Sequence, residues 1–226
     1  MHHSLFTFKP NIVNDICIKD PLSSSVGLDI IRKGNEIISE KGFEYFTFKK
    51  LASEIQTTEA TVYRYFENKH KFLLYLTSYY WSWIEYRFFL KNNNVDNSVT
   101  KLQNAIEIMS GPLGSMDEVL DYQKLFSIII SESSKSYMNR FVDDYNKHGG
   151  YYNYKKIVAY LREIIIEINP DYLFPNMLVS TIIEGIHHQI FFGQHLPSLT
   201  DKIRGENDLA GFYIDLALSQ ILKNKY

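Results

Sequence analysis

Apolar residues recur along most of this chain at the three- and four-residue spacing of α-helices. Leu28, Ile30, Ile31, Ile37 and Ile38 form a stripe that stops at Gly42, just past Lys41, as a helix end does. Thr47 then stands as an N-cap before Phe48, Leu51, Ala52 and Ile55, whose spacing puts all four on one face. Thr58 caps a third segment, Glu59 to Phe66, in which Val62 and Phe66 share a face and Thr61, Tyr63, Arg64 and Tyr65 lie off it. Asn68 opens a long fourth segment, with Phe72, Leu76, Tyr79, Tyr80 and Trp83 at helical spacing up to the polar run Asn92-Asn93-Asn94.

The same periodicity continues to the C-terminus. Ser98 begins a pattern through Leu102, Ile106 and Met109 that Gly111-Pro112 ends. Ser115-Met116-Asp117-Glu118 reads as a capping box for a helix carrying Val119, Leu120, Phe126, Ile129 and Ile130, and Gly149-Gly150 breaks the chain after it. Further helical patterns run from Tyr154 to Ile168, from Asn176 to Phe192 with Gly193 as the stop, and from Asp208 to Leu222. No convincing strand alternation lies between them, so the fold class is all-α. Residues 1–25, with Pro10, Pro21 and Ser23-Ser24-Ser25, lack this periodicity and read as an extended or poorly ordered arm.

Composition narrows the picture. With 226 residues, 45% hydrophobic and 22% charged, the chain is an ordinary globular protein of one domain or two small ones. Its formal charge of -2 means that any nucleic-acid binding must come from a local face. A lone cysteine, Cys17, excludes an internal disulfide framework and a cysteine-based zinc site, which fits a cytoplasmic setting. The start, Met1 to Pro10, has no charged segment followed by a long apolar stretch, so no secretory signal is expected, and no apolar run reaches the ~20 residues of a membrane span.

A short helix, a turn and a second short helix form a shape able to place side chains in the DNA major groove, whose width of about 12 Å admits one helix. One face must be buried for rigidity, here Phe48, Leu51, Ala52, Ile55, Val62 and Phe66, which leaves Glu59, Ala60, Thr61, Tyr63, Arg64 and Tyr65 for the groove. Thr47 to Lys71 carry five basic and three acidic residues, a net of +2. By periodicity alone, a plain helical hairpin with a solvated polar face satisfies the same pattern.

The string Tyr63-Arg64-Tyr65-Phe66-Glu67-Asn68-Lys69, with Gly42-Phe43, Thr47, Leu51-Ala52 and Thr61, resembles the DNA-binding segment of the TetR family of bacterial transcriptional repressors over Leu28 to about Leu74. The resemblance implies an arm (1–25), a three-helix helix-turn-helix DNA-binding domain (26–72) and a larger helical domain (73–226) for effector binding and dimerisation. It implies that Thr47 and Lys49 face the backbone or a nearby base edge, and that Glu59, Ala60, Thr61 and Arg64 enter the groove behind the Thr58 cap. Tyr63, Tyr65 and Lys69 go to phosphates. The implied partners are a palindromic double-stranded DNA operator, a second copy in a homodimer formed by 176–192 and 208–222, and an unidentified small-molecule effector, with no cofactor, metal, catalytic residue or membrane. Tyr122, Gln123, Tyr160 and His187 are the polar groups on apolar helices available to line such a pocket. The sequence departs from the family pattern at Gln56, where a turn glycine is usual, at Thr57, usually apolar, and at Gly34, usually alanine.

Two other readings remain open at this level. Glu184-Gly185-Ile186-His187 has the Glu-x-x-His spacing of di-iron bundles, although no second copy of the motif occurs. Trp81, Trp83 and Tyr86 would form a protein-docking patch if exposed, and a buried hinge if not.

Overall fold

The computed structural model describes residues 8–12, 14–111, 119–203, 205 and 207–223. Among these residues the secondary structure is helical throughout, as the periodicity predicts, with eleven α-helices. They are α1 (Ser25–Lys41), α2 (Phe48–Glu54), α3 (Glu59–Tyr63), α4 (Lys69–Asn92), α5 (Ser98–Ser110), α6 (Tyr122–Glu132), α7 (Ser134–Tyr137), α8 (Val142–Lys147), α9 (Tyr152–Ile168), α10 (Pro175–His195) and α11 (Asp208–Leu222). The chain forms two compact units, one of residues 1–83 and 114–153, the other of 84–113 and 154–226. Helix α4 contributes to both, so the contact boundary falls inside a continuous helix.

In the first unit the caps act as the sequence predicts. The Thr47 and Thr58 hydroxyls accept from the N–H groups of Lys50 and Thr61, and the Asn68 amide oxygen accepts from that of Lys71; at α1 the Ser24 hydroxyl, which the sequence pattern leaves in the arm, accepts from the Gly27 N–H. Gly42 closes α1 at φ +82°, its N–H donating to the Ile38 carbonyl. Helix α1 buries Ile30, Ile31, Ile37 and Ile38, and Gly34 leaves room for the Phe72 ring. From Phe72 to Ile84 helix α4 is buried on every side, the state expected of a helix that is apolar all round. Trp81 and Trp83, 6% and 8% exposed, belong to this interior, which removes the docking-patch reading.

Residues before α1 are not a free tail where they are described. Pro21–Ser23 forms a single 3-10 turn against α1, and Ile16 is buried. The Lys71 ammonium donates to the Asp15 carbonyl, the Ile18 N–H to the Tyr65 carbonyl, and the Asn11 N–H to the Ser82 hydroxyl. A charged or polar backbone partner at each of these points holds the arm, which sequence periodicity cannot register. The start at Met1 to Phe6 and the capping box at Ser115 to Glu118 lie outside the described residues.

Other boundaries differ for local reasons. Val119 and Leu120 precede α6, which begins only after Asp121, whose carboxylate accepts from the Lys124 N–H. Between Glu132 and Gly149 the chain makes the short helices α7 and α8. Helix α10 runs through Gly193 to His195 and does not stop at the glycine.

The second unit packs α5 and α10 against α11. The Asn169 amide donates to the Ile221 carbonyl at 2.7 Å, pinning the turn after α9 to the end of α11. His187 is buried in α10, and desolvation, with the neighbouring charge of His188 as a smaller cause, pushes its imidazole down to about 4. The unfolded chain takes up that proton near 6.5, so the stability His187 contributes is complete above that pH and drains away as pH falls towards 4. Thermal melts should therefore show a loss of about 2–3 kcal/mol between pH 7.5 and pH 4.5 that is much smaller in His187→Gln. Identical pH dependence in both proteins would exclude this origin.

Candidate nucleic-acid interface

The helix-turn-helix is built by two caps and one strained turn. After α2, Gln56 takes φ +53°, its N–H donates to the Ser53 carbonyl, and the Thr57 N–H reaches back to the Ala52 carbonyl. This is the paired bonding of a Schellman helix end, formed without the glycine that makes it easy, at a cost of about 1 kcal/mol. Thr57 is half-buried there. Phe48, Leu51, Ala52, Val62 and Phe66 fill the inner face, and Ile55 is half-buried.

Opposite that face, Thr47, Lys49, Thr58, Glu59, Ala60, Tyr63 and Arg64 are exposed, and Thr61 is half-exposed with its hydroxyl 2.9 Å from that of Thr58. The Tyr63 ring is 47% exposed and braced edge-on by Phe48, ring centres 5.0 Å apart, so the side chain is held in place while remaining accessible. Arg64 caps the C-terminus of α3 and has no carboxylate partner among the described residues. Lys50 lies over the Tyr45 ring and donates to the Tyr45 carbonyl.

Tyr65 is a correction. Placed among the outward residues by its position in the string, it is 4% exposed, and its hydroxyl shares a 2.7 Å hydrogen bond with Ser24. The segment ends its helix at Tyr63 rather than Phe66, because the Tyr65 carbonyl is taken by the Ile18 N–H and the ring turns inward to Ser24. Tyr65 thus lies behind the exposed face of α3, with its hydroxyl already paired to Ser24. Lys69 is half-exposed; it donates to the Phe43 carbonyl and pairs with Glu44 at 3.7 Å.

Sequence reasoning missed the group that fixes the turn between α1 and α2. The Glu132 carboxylate, on α6, accepts from the Phe43 N–H at 3.0 Å, while Lys135 pairs with both Glu132 and Glu44. Hydrogen bonding from Lys135, aided by the charge of Lys69, holds the Glu44 carboxyl below its ordinary range. Nothing in the local pattern points to it, since Glu132 lies 89 positions from Phe43.

Of the four polar groups weighed for an effector, Tyr122 is buried in the first unit, with its ring stacked on Tyr80 and Phe126; Gln123 is exposed; and His187 is buried. Tyr160 lines a cavity in the second unit. Glu184 accepts a hydrogen bond from the Tyr154 hydroxyl, and among the described residues no three or more His, Cys, Asp or Glu side chains are grouped as a metal site. No helix in the described residues is long and apolar enough to cross a membrane.

Residues 30–76 match the family model of bacterial regulatory proteins of the tetR family. No curated protein gives a significant match to the sequence. Three solved structures share the fold. AibR, in complex with isovaleryl coenzyme A and operator DNA, matches with TM-score 0.56 and 16% identity over 83% of this chain and 95% of that one. The fatty acid degradation regulator FadR from Bacillus halodurans matches with TM-score 0.56 and 17% identity over 85% and 96%. The ketosteroid transcriptional regulator KstR2 of Mycobacterium tuberculosis matches with TM-score 0.53 and 11% identity over 91% and 97%.

Proposed function

We propose, from the premise that the chain belongs through residues 30–76 to the TetR family of bacterial regulatory proteins, that it is a cytoplasmic repressor binding a palindromic operator as a homodimer and releasing it when a small molecule binds. The observation that carries the reading is the outer face of α3 and its caps: exposed polar and small side chains on a support whose other face is closed by phenylalanine, leucine and valine. Glu59, Ala60, Thr61 and Arg64 are the base readers in this proposal, with Thr47, Lys49, Tyr63 and Lys69 on the backbone. Lys69, at the start of α4, exchanges the Glu44 carboxylate for a phosphate at the same helix N-terminus.

Dimerisation through α10 and α11 is supported by the large apolar side chains those helices leave exposed, Met177 and Phe212 foremost. Two copies then present two reading heads to half-sites about one DNA turn apart. Release by an effector requires only that it bind the non-DNA-binding conformation more tightly, and the factor by which it weakens DNA is the factor by which DNA weakens it. No catalytic role is assigned to any residue.

Selecting bound fragments from the source genome should recover a palindrome. On that site the dimer should show a log–log salt slope of roughly -4 to -6, since Lys49, Arg64 and Lys69 from two copies displace about that many counterions. A slope near zero would refute binding through this face.

A further inference from the structure

The second unit holds a cavity of about 340 Å³ between the C-terminal part of α4, the start of α5 and α9. That volume is at the small end of the range for ligand sites, roughly 300–1,000 Å³. Its walls are apolar: Phe88 and Ile157 form the buried side, and Phe89, although 61% exposed, is turned onto the same space. A ring of that size left open on a cavity wall is surface for a ligand to cover.

The polar groups around the walls are unequally balanced. Lys156 is neutralised by an ion pair with Glu85, also in the lining. Lys101 has no carboxylate partner among the described residues. Asn93 adds an exposed amide, and Tyr160 adds a hydroxyl. The buried Asn92 donates its amide N–H to the Tyr160 hydroxyl oxygen at 3.1 Å, and the Asn92 oxygen is occupied by the Asn104 amide at 2.9 Å. With its oxygen already accepting, the Tyr160 hydroxyl has its proton left to give, and Phe88 stacks against the ring at 5.7 Å to hold it. Besides the exposed Asn93 amide, the cavity thus offers a charged donor in Lys101 and a neutral one in the Tyr160 hydroxyl, and its carboxylate is already paired.

Resting on the ligand-responsive reading above, we infer that this cavity is the effector site and that it takes a small organic acid: one carboxylate, held by Lys101 and the Tyr160 hydroxyl, on an aliphatic or aryl-alkyl body covering Phe88, Phe89 and Ile157. A phosphate monoester is disfavoured by the same inventory, because a dianion calls for more charged or forked donors than a single unpaired lysine supplies.

Calorimetric titration of the full chain with 4-phenylbutyrate and with its neutral amide tests this. The acid should bind at least tenfold more tightly than the amide. Lys101→Gln should remove most of that difference while leaving the amide unchanged, and Lys101→Arg should restore it. Lys101 is a partly exposed helix residue, so these variants fold, which their melting temperatures verify. Equal binding of acid and amide, no binding of either at millimolar concentration, or an acid affinity indifferent to Lys101→Gln would each overturn the inference. Acid binding that depends on Lys101, with unchanged affinity for the selected operator, would leave the acid-binding site standing and instead sink its role as effector site and the ligand-responsive reading.

Discussion

Arg64→Ala is expected to lower affinity for the operator by about 5- to 150-fold per half-site while weakening binding to random duplex DNA far less. The expectation follows from the position of the guanidinium. Arg64 follows α3 as its C-cap residue, its side chain is exposed, and it has no carboxylate partner among the described residues, so the fork of donors is available to the O6 and N7 acceptors of a guanine, a pairing worth about 1–3 kcal/mol of discrimination. Lys69→Ala provides the contrast. In the proposed reading its ammonium contacts a phosphate, so its removal should weaken specific and random sites alike and reduce the salt slope by about one per protomer. Competition titrations of each variant against operator and random duplex separate the two roles. If both variants lose affinity equally on both DNAs, the division between reading and positioning is wrong.

Phe72→Ala should destabilise the first unit by about 3–5 kcal/mol, enough to remove DNA binding at physiological temperature. The ring has no solvent exposure, stacks on Phe46 and meets Phe66 edge-on, each at 5.0 Å between centres. It also presses on α1: a Cβ at Gly34 would lie 2.2 Å from its Cζ. Gly34→Ala therefore opposes two effects, a gain in helix propensity of about 1 kcal/mol and an overpacking cost of about 1–3 kcal/mol. In the native background the cost wins and the variant is destabilised. With Phe72→Leu beside it the clash is relieved, so the same glycine substitution becomes neutral or stabilising, a coupling that urea denaturation of the four proteins measures. Stabilisation by Gly34→Ala alone would show that the ring yields more easily than this packing implies.

How far the sequence could be read depends on how local each signal is. Thr47, Thr58 and Asn68 were legible because a cap is one side chain and an N–H within three residues of it. Gln56 was legible as a strained turn only through the family resemblance, which places it where a turn glycine is usual. Tyr65 was misjudged for the opposite reason: its direction is set by Ser24 and Ile18, more than forty positions away, which the periodicity of α3 does not contain. Helices α7 and α8, four and six residues long, are too short for a hydrophobic period to emerge. The cavity was visible only through Tyr160, because its apolar walls come from α4 and α9, where a lining phenylalanine or isoleucine looks the same in sequence as a core one.

The way α6 grips the first helices also limits how such proteins can be recombined. Besides Glu132 on Phe43, the Asn35 amide donates to the Asp121 carbonyl, Arg32 to the Val119 carbonyl, and Lys124 pairs with Glu40. A graft that swaps residues 26–72 into a relative would sever all of these at once, exposing a buried carboxylate and an unbonded turn. Exchange of operator specificity between lineages should therefore proceed by substitution on the face of α3, or by moving the stretch around 119–135 together with the head, rather than by cutting at the end of the helix-turn-helix.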